Sequence, residues 1–428
     1  MQIEQLYNFY LQHPQVQTDT RHLKKGDVFF ALKGPNFNGN QYAATALSMG
    51  AAGVVIDESI GIEGNNIFNV DDVLETLQAL ALHHRKQLTI PFIAITGSNG
   101  KTTTKELIHV VLTSTFRTYT TKGNLNNHIG VPLTILSIQS DAQMAIIEMG
   151  ANHQKEIESY CKIALPTHGL ITNCGKAHLE GFGGVEGIRK GKGELFEHLA
   201  THTGTAFINS DLDYLEQMSE RIPHKIFYGN KKGSTPSIII ETEKLLGIEV
   251  SLNDNNRQRI FSHLVGVYNK ANIDAAICVG LHFGISFDKI RKAIESYLPD
   301  NARSQLIKKG SNTIILDAYN ANPSSMQAAI ENFAKMEGDH KYIFLGGMME
   351  LGKDSIEEHQ SLIGLLTRLQ LNKTILVGGD FANVNHAFPF FENVGAANEW
   401  LKNNLPRNAQ ILIKGSRSTK MEKLLEVL

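Results

Sequence analysis

The sequence predicts an α/β protein of three domains, and three observations carry that prediction. The chain has 428 residues, too many for one ordinary hydrophobic core. Apolar strand-like runs alternate with helical periodicity through most of its length. The run "YLPDNAR" at 297–303 then breaks the alternation with Pro299 and polar residues, as a domain boundary does. The expected units are a small α/β domain over 1–86, a central parallel-sheet domain over 87–299 and a Rossmann-like α/β domain over 300–428.

In the first unit "DVFFALKG" (27–34) reads as a strand, the stretch 41–50 as a helix and "AAGVVID" (51–57) as an apolar strand. The central unit places strands at "FIAIT" (92–96), "MAIIEMG" (144–150), "HGLIT" (168–172) and "TAFINS" (205–210) between helical segments. Such alternation argues for a doubly wound parallel sheet whose ligands gather at the carboxyl ends of the strands. A β-rich patch follows at "SIIIE" (237–241), "GIEVSLN" (247–253) and "RIFSHL" (259–264), then helices over about 269–283 and 286–297. In the third unit "TIILDAY" (313–319), "KYIFLGG" (341–347), "KTILVGG" (373–379) and "AQILIKGS" (409–416) alternate again with helices.

Composition narrows the function. The 42% hydrophobic and 20% charged content is that of a soluble globular protein. With 41 basic against 43 acidic residues, a net charge of -2 leaves no electrostatic footprint for nucleic acid or an anionic membrane. The start "MQIEQLYNFYLQ" has neither a basic leader nor an unbroken apolar run, so a cytoplasmic location without membrane insertion is expected. Cys161, Cys174 and Cys278 are widely spaced and odd in number, which suggests neither a disulfide framework nor a zinc site.

The stretch "FIAITGSNGKTTTKE" (92–106) runs a strand into a glycine-punctuated turn and then into a helix. Gly97 and Gly100 allow backbone N–H groups to close around a phosphate at the helix N-terminus. Lys101 is then placed to neutralise the outer phosphates, and the Thr102 hydroxyl to face a magnesium ion. Ile95 stands where the common phosphate loop has an earlier glycine, so this loop is a shortened variant. Glu148 closes "MAIIEMG", the position for an acid that holds magnesium; the alternative is a solvated strand end. The next strand ends in "NCGKAHLEGFG" (173–183), which brings Asn173, His178 and Glu180 to the same sheet edge. In "GVEGIRKGKGELFEHL" (184–199), Val185, Ile188, Lys192, Leu195 and Leu199 share one helix face. Lys192 thus falls in an apolar stripe, where it must be paired, neutral or modified, or else snorkel to water. Gly187, Gly191 and Gly193 weaken this helix, as if something bulky approaches it closely.

Together "TGSNGKTTTKE", "IIEMGAN", "NCGKAHLEGFG" and "KGKGELF" resemble the Mur ligases, ATP-dependent enzymes that build the peptide of cell-wall precursors. "TDTRHLKKGDVFFALKG", "LDAYNANPSSMQAAI", "GGMMELGKDSIEEH" and "ILIKGSRSTKME" extend the resemblance from residue 18 to 422. The resemblance implies a first domain that grips a uridine nucleotide, a central ATPase domain and a C-terminal domain that closes on them. It implies UDP-N-acetylmuramoyl-tripeptide and D-alanyl-D-alanine as substrates and a monomeric enzyme. Its cofactors would be ATP, two Mg2+ ions and a carbamylated Lys192. Gly97, Ser98, Asn99, Gly100, Lys101, Thr102 and Thr103 would hold ATP phosphates, with Asn269 and Asn272 of "LVGVYNKANIDAA" near adenine and Arg303 and Asp317 reaching the nucleotide. Thr102, Glu148, His178 and Lys192 would serve the metal ions, and Lys101, Lys192, His178 and Glu148 catalysis. Thr20, Arg21, Lys33 and Gly34 would meet the uridine diphosphate; Tyr319, Asn320, Asn322, Lys414, Ser416 and Arg417 would line the closing face. The segment 320–323 also reads as a polar turn capping the next helix.

Two residues depart from the family pattern: Tyr268 replaces a histidine, and Gly347 replaces the aspartate of "GDM". Two other functions compete. A folylpolyglutamate-synthase-like ligase would share the central chemistry on another acid, and a substrate panel separates the two. An NTP-hydrolysing regulatory protein would turn over ATP without both amino-acid substrates.

Overall fold

The computed structural model describes residues 3–428 apart from 60, 62–63, 234, 241–245, 254–255, 301 and 339. Asn301 of the predicted boundary and Glu241 of the predicted strand lie outside the described residues.

The first unit is a four-stranded parallel sheet in the order Val16–Gln17, Val28–Phe30, Gly53–Ile56, Ile67–Asn69. Its two inner strands are buried along their whole length, the pattern of a parallel sheet covered on both faces. The predicted helix over 41–50 is Ala43–Ser48, entered through a 3-10 turn at Gly39–Tyr42. The helix Val73–Gln87 begins where the Asp72 carboxylate accepts from Glu75 N at 2.8 Å. It packs against two central-domain helices, Gly130–Leu136 and Glu156–Ala164. Among the described residues, four side chains of the first unit bond across this contact, Gln78 Nε2 donating to His128 O at 3.0 Å. Tyr10 Oη donates to Leu136 O at 2.7 Å, and His84 Nε2 meets Ile138 O at 2.8 Å. The buried Arg85 guanidinium donates to the carbonyls of Ala164, Leu165 and Leu88 at 2.6–2.9 Å and lies 3.8 Å from the Phe92 ring centre.

The central sheet has six parallel strands in the order His224–Tyr228, Thr205–Asn209, His168–Ile171, Phe92–Thr96, Met144–Glu148, Thr118–Thr120. Its two edge strands are absent from the sequence reading; Thr118–Thr120 is short and half-buried, so it carries no apolar run. Phe92–Thr96 lies between strands that follow it in the chain on opposite sides, which opens a crevice at its carboxyl end. The β-rich patch is a separate antiparallel sheet, Ser237–Ile240, Leu246–Asn253 and Asn256–Ser262. Helix Lys270–His282 crosses helix Lys101–Thr113 closely at Gly280, where an added Cβ would stand 2.6 Å from Val111 Cγ1.

The third unit is a six-stranded sheet in the order Gln305–Lys309, Asn312–Asp317, Gln410–Lys414, Lys341–Gly346, Thr374–Val377, Phe390–Phe391. Only the first pair is antiparallel. The Gly347 departure has a packing reason: a Cβ there would lie 2.6 Å from Gly379 Cα, so the turns after two neighbouring strands touch backbone to backbone. The three cysteines are buried and free.

Candidate active site at the domain interface

The strand Phe92–Thr96 keeps Ile95 wholly buried within it, so the loop is only Gly97 to Gly100 before helix Lys101–Thr113 begins. Gly97 adopts φ +145°, and a Cβ there would fall 1.9 Å from Thr172 Oγ1. The loop is thus pressed against the end of the neighbouring strand, which holds it by hydrogen bonds. Asn99 N donates to Asn173 Oδ1 at 3.1 Å, Ser98 N to Asn173 O at 2.8 Å, and Thr172 Oγ1 to Asn99 O at 2.6 Å. Lys101 Nζ curls back to Gly97 O at 2.6 Å. Burial lowers its pKa to about 8, with Glu148 acting in the opposite direction and Arg303 reinforcing the drop. A helix N-terminus with a cation beside it has the form of a cradle that suits an anion.

Glu148 is 1% exposed, which excludes a solvated strand end. Its Oε1 accepts from Thr102 Oγ1 at 3.2 Å and Asn126 Nδ2 at 2.8 Å, and its backbone N donates to Thr121 Oγ1. Its Oε2 is buried without a hydrogen-bond partner among the described residues. An orphaned carboxylate oxygen beside a threonine hydroxyl fits a hard cation such as Mg2+, which takes few protein oxygens and completes its shell with phosphates and water. No three His, Cys, Asp or Glu side chains converge as a closed metal cage among the described residues.

Lys192 is 1% exposed on helix Val185–Thr201, so it does not snorkel to water. Ile188, Leu195 and Leu199 share its buried face as predicted, whereas Val185 in the first turn is exposed. Burial, reinforced by the charge of Lys101, lowers the Lys192 pKa to about 7. Its Nζ lies 5.0 Å from the Phe182 ring centre, behind the residues that line the cleft. Phe182 is also the bulky neighbour that Gly187 and Gly191 admit. A Cβ on Gly191 would stand 2.4 Å from Phe182 Cε1, and one on Gly187 1.8 Å from Phe182 O. His178 takes a left-handed backbone (φ +54°) and turns Nδ1 toward Glu350 Oε2 of the third unit. The His178 imidazole holds the Glu350 carboxyl below its ordinary pKa.

A cleft of 820 Å³ separates the central and third units. Ser98 to Thr103, Glu148, His178, Asn269, Asn272, Arg303, Asp317, Tyr319, Asn320, Asn322, Lys414 and Arg417 all line it. Asn272 Nδ2 donates to Asn269 Oδ1 at 2.8 Å and its Oδ1 accepts from Thr104 Oγ1 at 3.0 Å, packing this pair onto the phosphate-loop helix. Tyr268, the second departure, shares a hydrogen bond of 2.9 Å with Ser304 Oγ. Asp317 accepts from Lys414 Nζ at 2.5 Å and from Ser304 N at 3.2 Å. The Arg303 guanidinium stacks 3.7 Å from the centre of the Tyr319 ring, and Arg417 lies 5.6 Å from it. Asn322 caps helix Pro323–Lys335 in a capping box with Ser325 while also lining the cleft, so both readings of 320–323 hold.

Not every predicted residue converges here. Ser416 is buried against Ser418, outside the lining, and Gly97 contributes backbone behind it. Thr20, Arg21, Lys33 and Gly34 sit apart from this cleft on the first unit. There Arg21, 84% exposed, pairs with Asp19 at 2.6 Å, and Lys33 lies 3.2 Å from Asp57 and 3.3 Å from Glu58. Sequence reasoning missed Asn126 and Glu350. The asparagine-rich "GNLNNHIG" (123–130), between a strand and a helix, was the available signal for Asn126.

A glycine-bearing loop and helix N-terminus at the crevice of one parallel sheet, faced across a cleft by cations of a second α/β unit, have the architecture of a multidomain nucleotide-binding enzyme. Comparison with known proteins gives the family. The Mur ligase middle-domain model matches residues 95–280, and the model described as "Mur ligase, glutamate ligase domain" matches 302–417. The UDP-N-acetylmuramoyl-tripeptide--D-alanyl-D-alanine ligase of Bacillus subtilis is 32% identical over 96% of this chain and 92% of its own. The protein of the same name from Escherichia coli is 33% identical over 96% and 93%. A crystal structure of MurF from Acinetobacter baumannii superposes with TM-score 0.86 at 30% identity, over 96% of this chain and 92% of that one. A Thermotoga maritima MurF ligase solved with ADP gives 0.86 at 27%, over 97% of both. The chain belongs to the Mur ligase family.

Proposed function

We propose that this chain is the ATP-dependent ligase that joins D-alanyl-D-alanine to UDP-N-acetylmuramoyl-tripeptide, a step in peptidoglycan precursor synthesis. The observation that carries the reading is the phosphate cradle at Lys101, with the orphaned Glu148 oxygen beside it, facing Arg303, Asp317 and Lys414 across one cleft. Full-length likeness to relatives of that name supports the choice of substrates over a folate-type acid. Folylpolyglutamate synthase from Mycobacterium tuberculosis superposes with TM-score 0.62 at 14% identity, a likeness of fold alone.

A carboxylate does not condense with an amine in water, so the acid is activated first. A carboxylate oxygen of the tripeptide attacks the γ-phosphorus of ATP, ADP leaves, and an acyl phosphate forms. The dipeptide ammonium gives one proton to solvent, and the resulting amine attacks the acyl carbon; inorganic phosphate leaves with the bonding pair, and the nitrogen loses a second proton. The first step brings two anions together, and Lys101 offsets their repulsion. The amides at the start of helix Lys101–Thr113 orient the triphosphate, and Arg303 and Lys414 close over it from the third unit. Excluding water between the units protects the acyl phosphate from hydrolysis. Thr102 and Glu148, with His178, would hold Mg2+, which when bound supplies additional charge neutralisation to the phosphates.

Lys192 is read as carbamylated. Burial leaves much of its amine uncharged near neutrality, the form that attacks CO2 to give a carbamate and a proton. Thr20, Arg21, Lys33 and Gly34 are read as the uridine diphosphate contact, with Arg21 as the exposed cation. The enzyme is read as a cytoplasmic monomer.

The test is phosphate release by the purified chain with ATP, nucleotide-linked tripeptide and D-alanyl-D-alanine. Release that requires all three is expected; release without the dipeptide would point instead to a regulatory NTPase.

A further inference from the structure

Four carboxylates line the cleft among the described residues: Glu148, Glu156, Asp317 and Glu350. Three are committed. Glu148 faces the phosphate cradle. Glu156 Oε2 accepts from the backbone amides of Asn152 at 2.7 Å and His153 at 2.9 Å. Asp317 is locked to Lys414 at 2.5 Å. Glu350 differs: among the described residues its side chain pairs with His178 alone, and 56% of it is exposed. It follows the carboxyl end of strand Lys341–Gly346, where ligands of an α/β sheet gather. Its backbone holds φ +61°, a left-handed conformation that a glutamate adopts only under strain and that the turn imposes.

The cleft is otherwise lined with Lys101, Arg303, Lys414 and Arg417, a setting made for anions. An amine substrate enters as an ammonium ion at neutral pH, and those cations repel it. An exposed carboxylate with free acceptor capacity offsets that repulsion, and Glu350 offers one to the open cleft, whereas the unpaired Glu148 Oε2 is buried beside the phosphate loop. We propose that Glu350 binds the ammonium group of the entering amine and so fixes its nitrogen against the activated acid. The proposal rests on the ligase reading above and adds a substrate-binding residue to it. His178, on the opposite wall, keeps the Glu350 carboxylate turned inward across the gap until the ammonium takes its place.

Steady-state phosphate release by the full chain tests this, with each of the three substrates varied in turn for the wild type, Glu350→Gln and Glu350→Asp. Glu350→Gln should raise the KM for D-alanyl-D-alanine by roughly 10- to 100-fold, the loss of one charge-assisted hydrogen bond. The KM values for ATP and the nucleotide-linked acid should stay within about twofold. Glu350→Asp keeps the charge and should recover part of the loss. N-acetyl-D-alanyl-D-alanine, which lacks the ammonium, should inhibit the wild type and Glu350→Gln equally. An unchanged KM for the dipeptide in Glu350→Gln overturns the assignment. Equal losses for all three substrates overturn it too, because they mark a domain latch through His178. Wild-type release that ignores the dipeptide overturns the ligase reading instead. Thermal unfolding confirms that the variants are folded.

Discussion

Asn322 Nδ2 donates to Asn99 Oδ1 at 2.8 Å, so the residue that caps a helix of the third unit also touches the phosphate loop of the central unit. One side chain therefore has two separable duties. In Asn322→Ser the hydroxyl can still cap the helix but is too short to reach Asn99. Stability should stay within about 0.5 kcal/mol of the wild type, while kcat/KM for ATP falls about tenfold. Thermal unfolding beside ATP-dependent kinetics separates the two effects. A parallel loss in both would mean that the bond between the units has no role of its own.

Lys101→Met removes the cation from the cradle and keeps most of the side-chain volume. Loss of one preorganised positive contact should lower kcat by roughly 10²–10³-fold. The unfolding midpoint should hold or rise, because the native Lys101 ammonium is held at a lowered pKa. Retention of wild-type turnover would remove the phosphate role from this lysine.

Lys192 gives the fold a pH signature. In CO2-depleted buffer, where the amine stays unmodified, its folded pKa of about 7 lies below the ordinary lysine value, so between roughly pH 7 and 10.5 the unfolded chain binds more protons than the native one. Native stability from this group therefore rises with pH through that window and is lost as pH falls toward 7. Lys192→Met should flatten the pH dependence of urea unfolding relative to the wild type; matching slopes would show that the buried amine is not strained. Lys192→Ala should also lose ligation, and bicarbonate or short carboxylic acids should partly restore it. Full activity in that variant would refute the carbamate.

Two neighbouring helix glycines should respond oppositely to alanine. At Gly191 the new methyl meets the Phe182 ring at 2.4 Å, and overpacking should cost about 1–3 kcal/mol. At Gly193 the nearest atom is the flexible Met218 Cε at 3.3 Å, so helix propensity should win by up to about 1 kcal/mol. Denaturant unfolding of the pair checks the sign of each.

The long, fully buried strands were legible because their apolar runs are uninterrupted: Phe92–Thr96 has the predicted bounds. Edge strands such as Thr118–Thr120, Gln305–Lys309 and Phe390–Phe391 are half-exposed and carry no such run, so pattern alone missed them. In the site, glycine spacing and a lysine in an apolar stripe exposed the cradle and Lys192. Glu350 gave no comparable signal, since its importance comes from meeting His178 across about 170 positions of chain, and local sequence carries no record of such meetings. Two of the three glycines near Lys192 admit bulk as expected: Gly187 and Gly191 meet Phe182 from the preceding short helix, whereas Gly193 has only the Met218 methyl at 3.3 Å.

The ties from Tyr10, His84 and Arg85 into the central unit govern how the molecule can bend. Pulling Arg85 free would strand a guanidinium and the carbonyls it caps, so the first two units travel as one rigid arm. The far end of that arm therefore acts as a fixed ruler, its surface held at constant length from the phosphate loop.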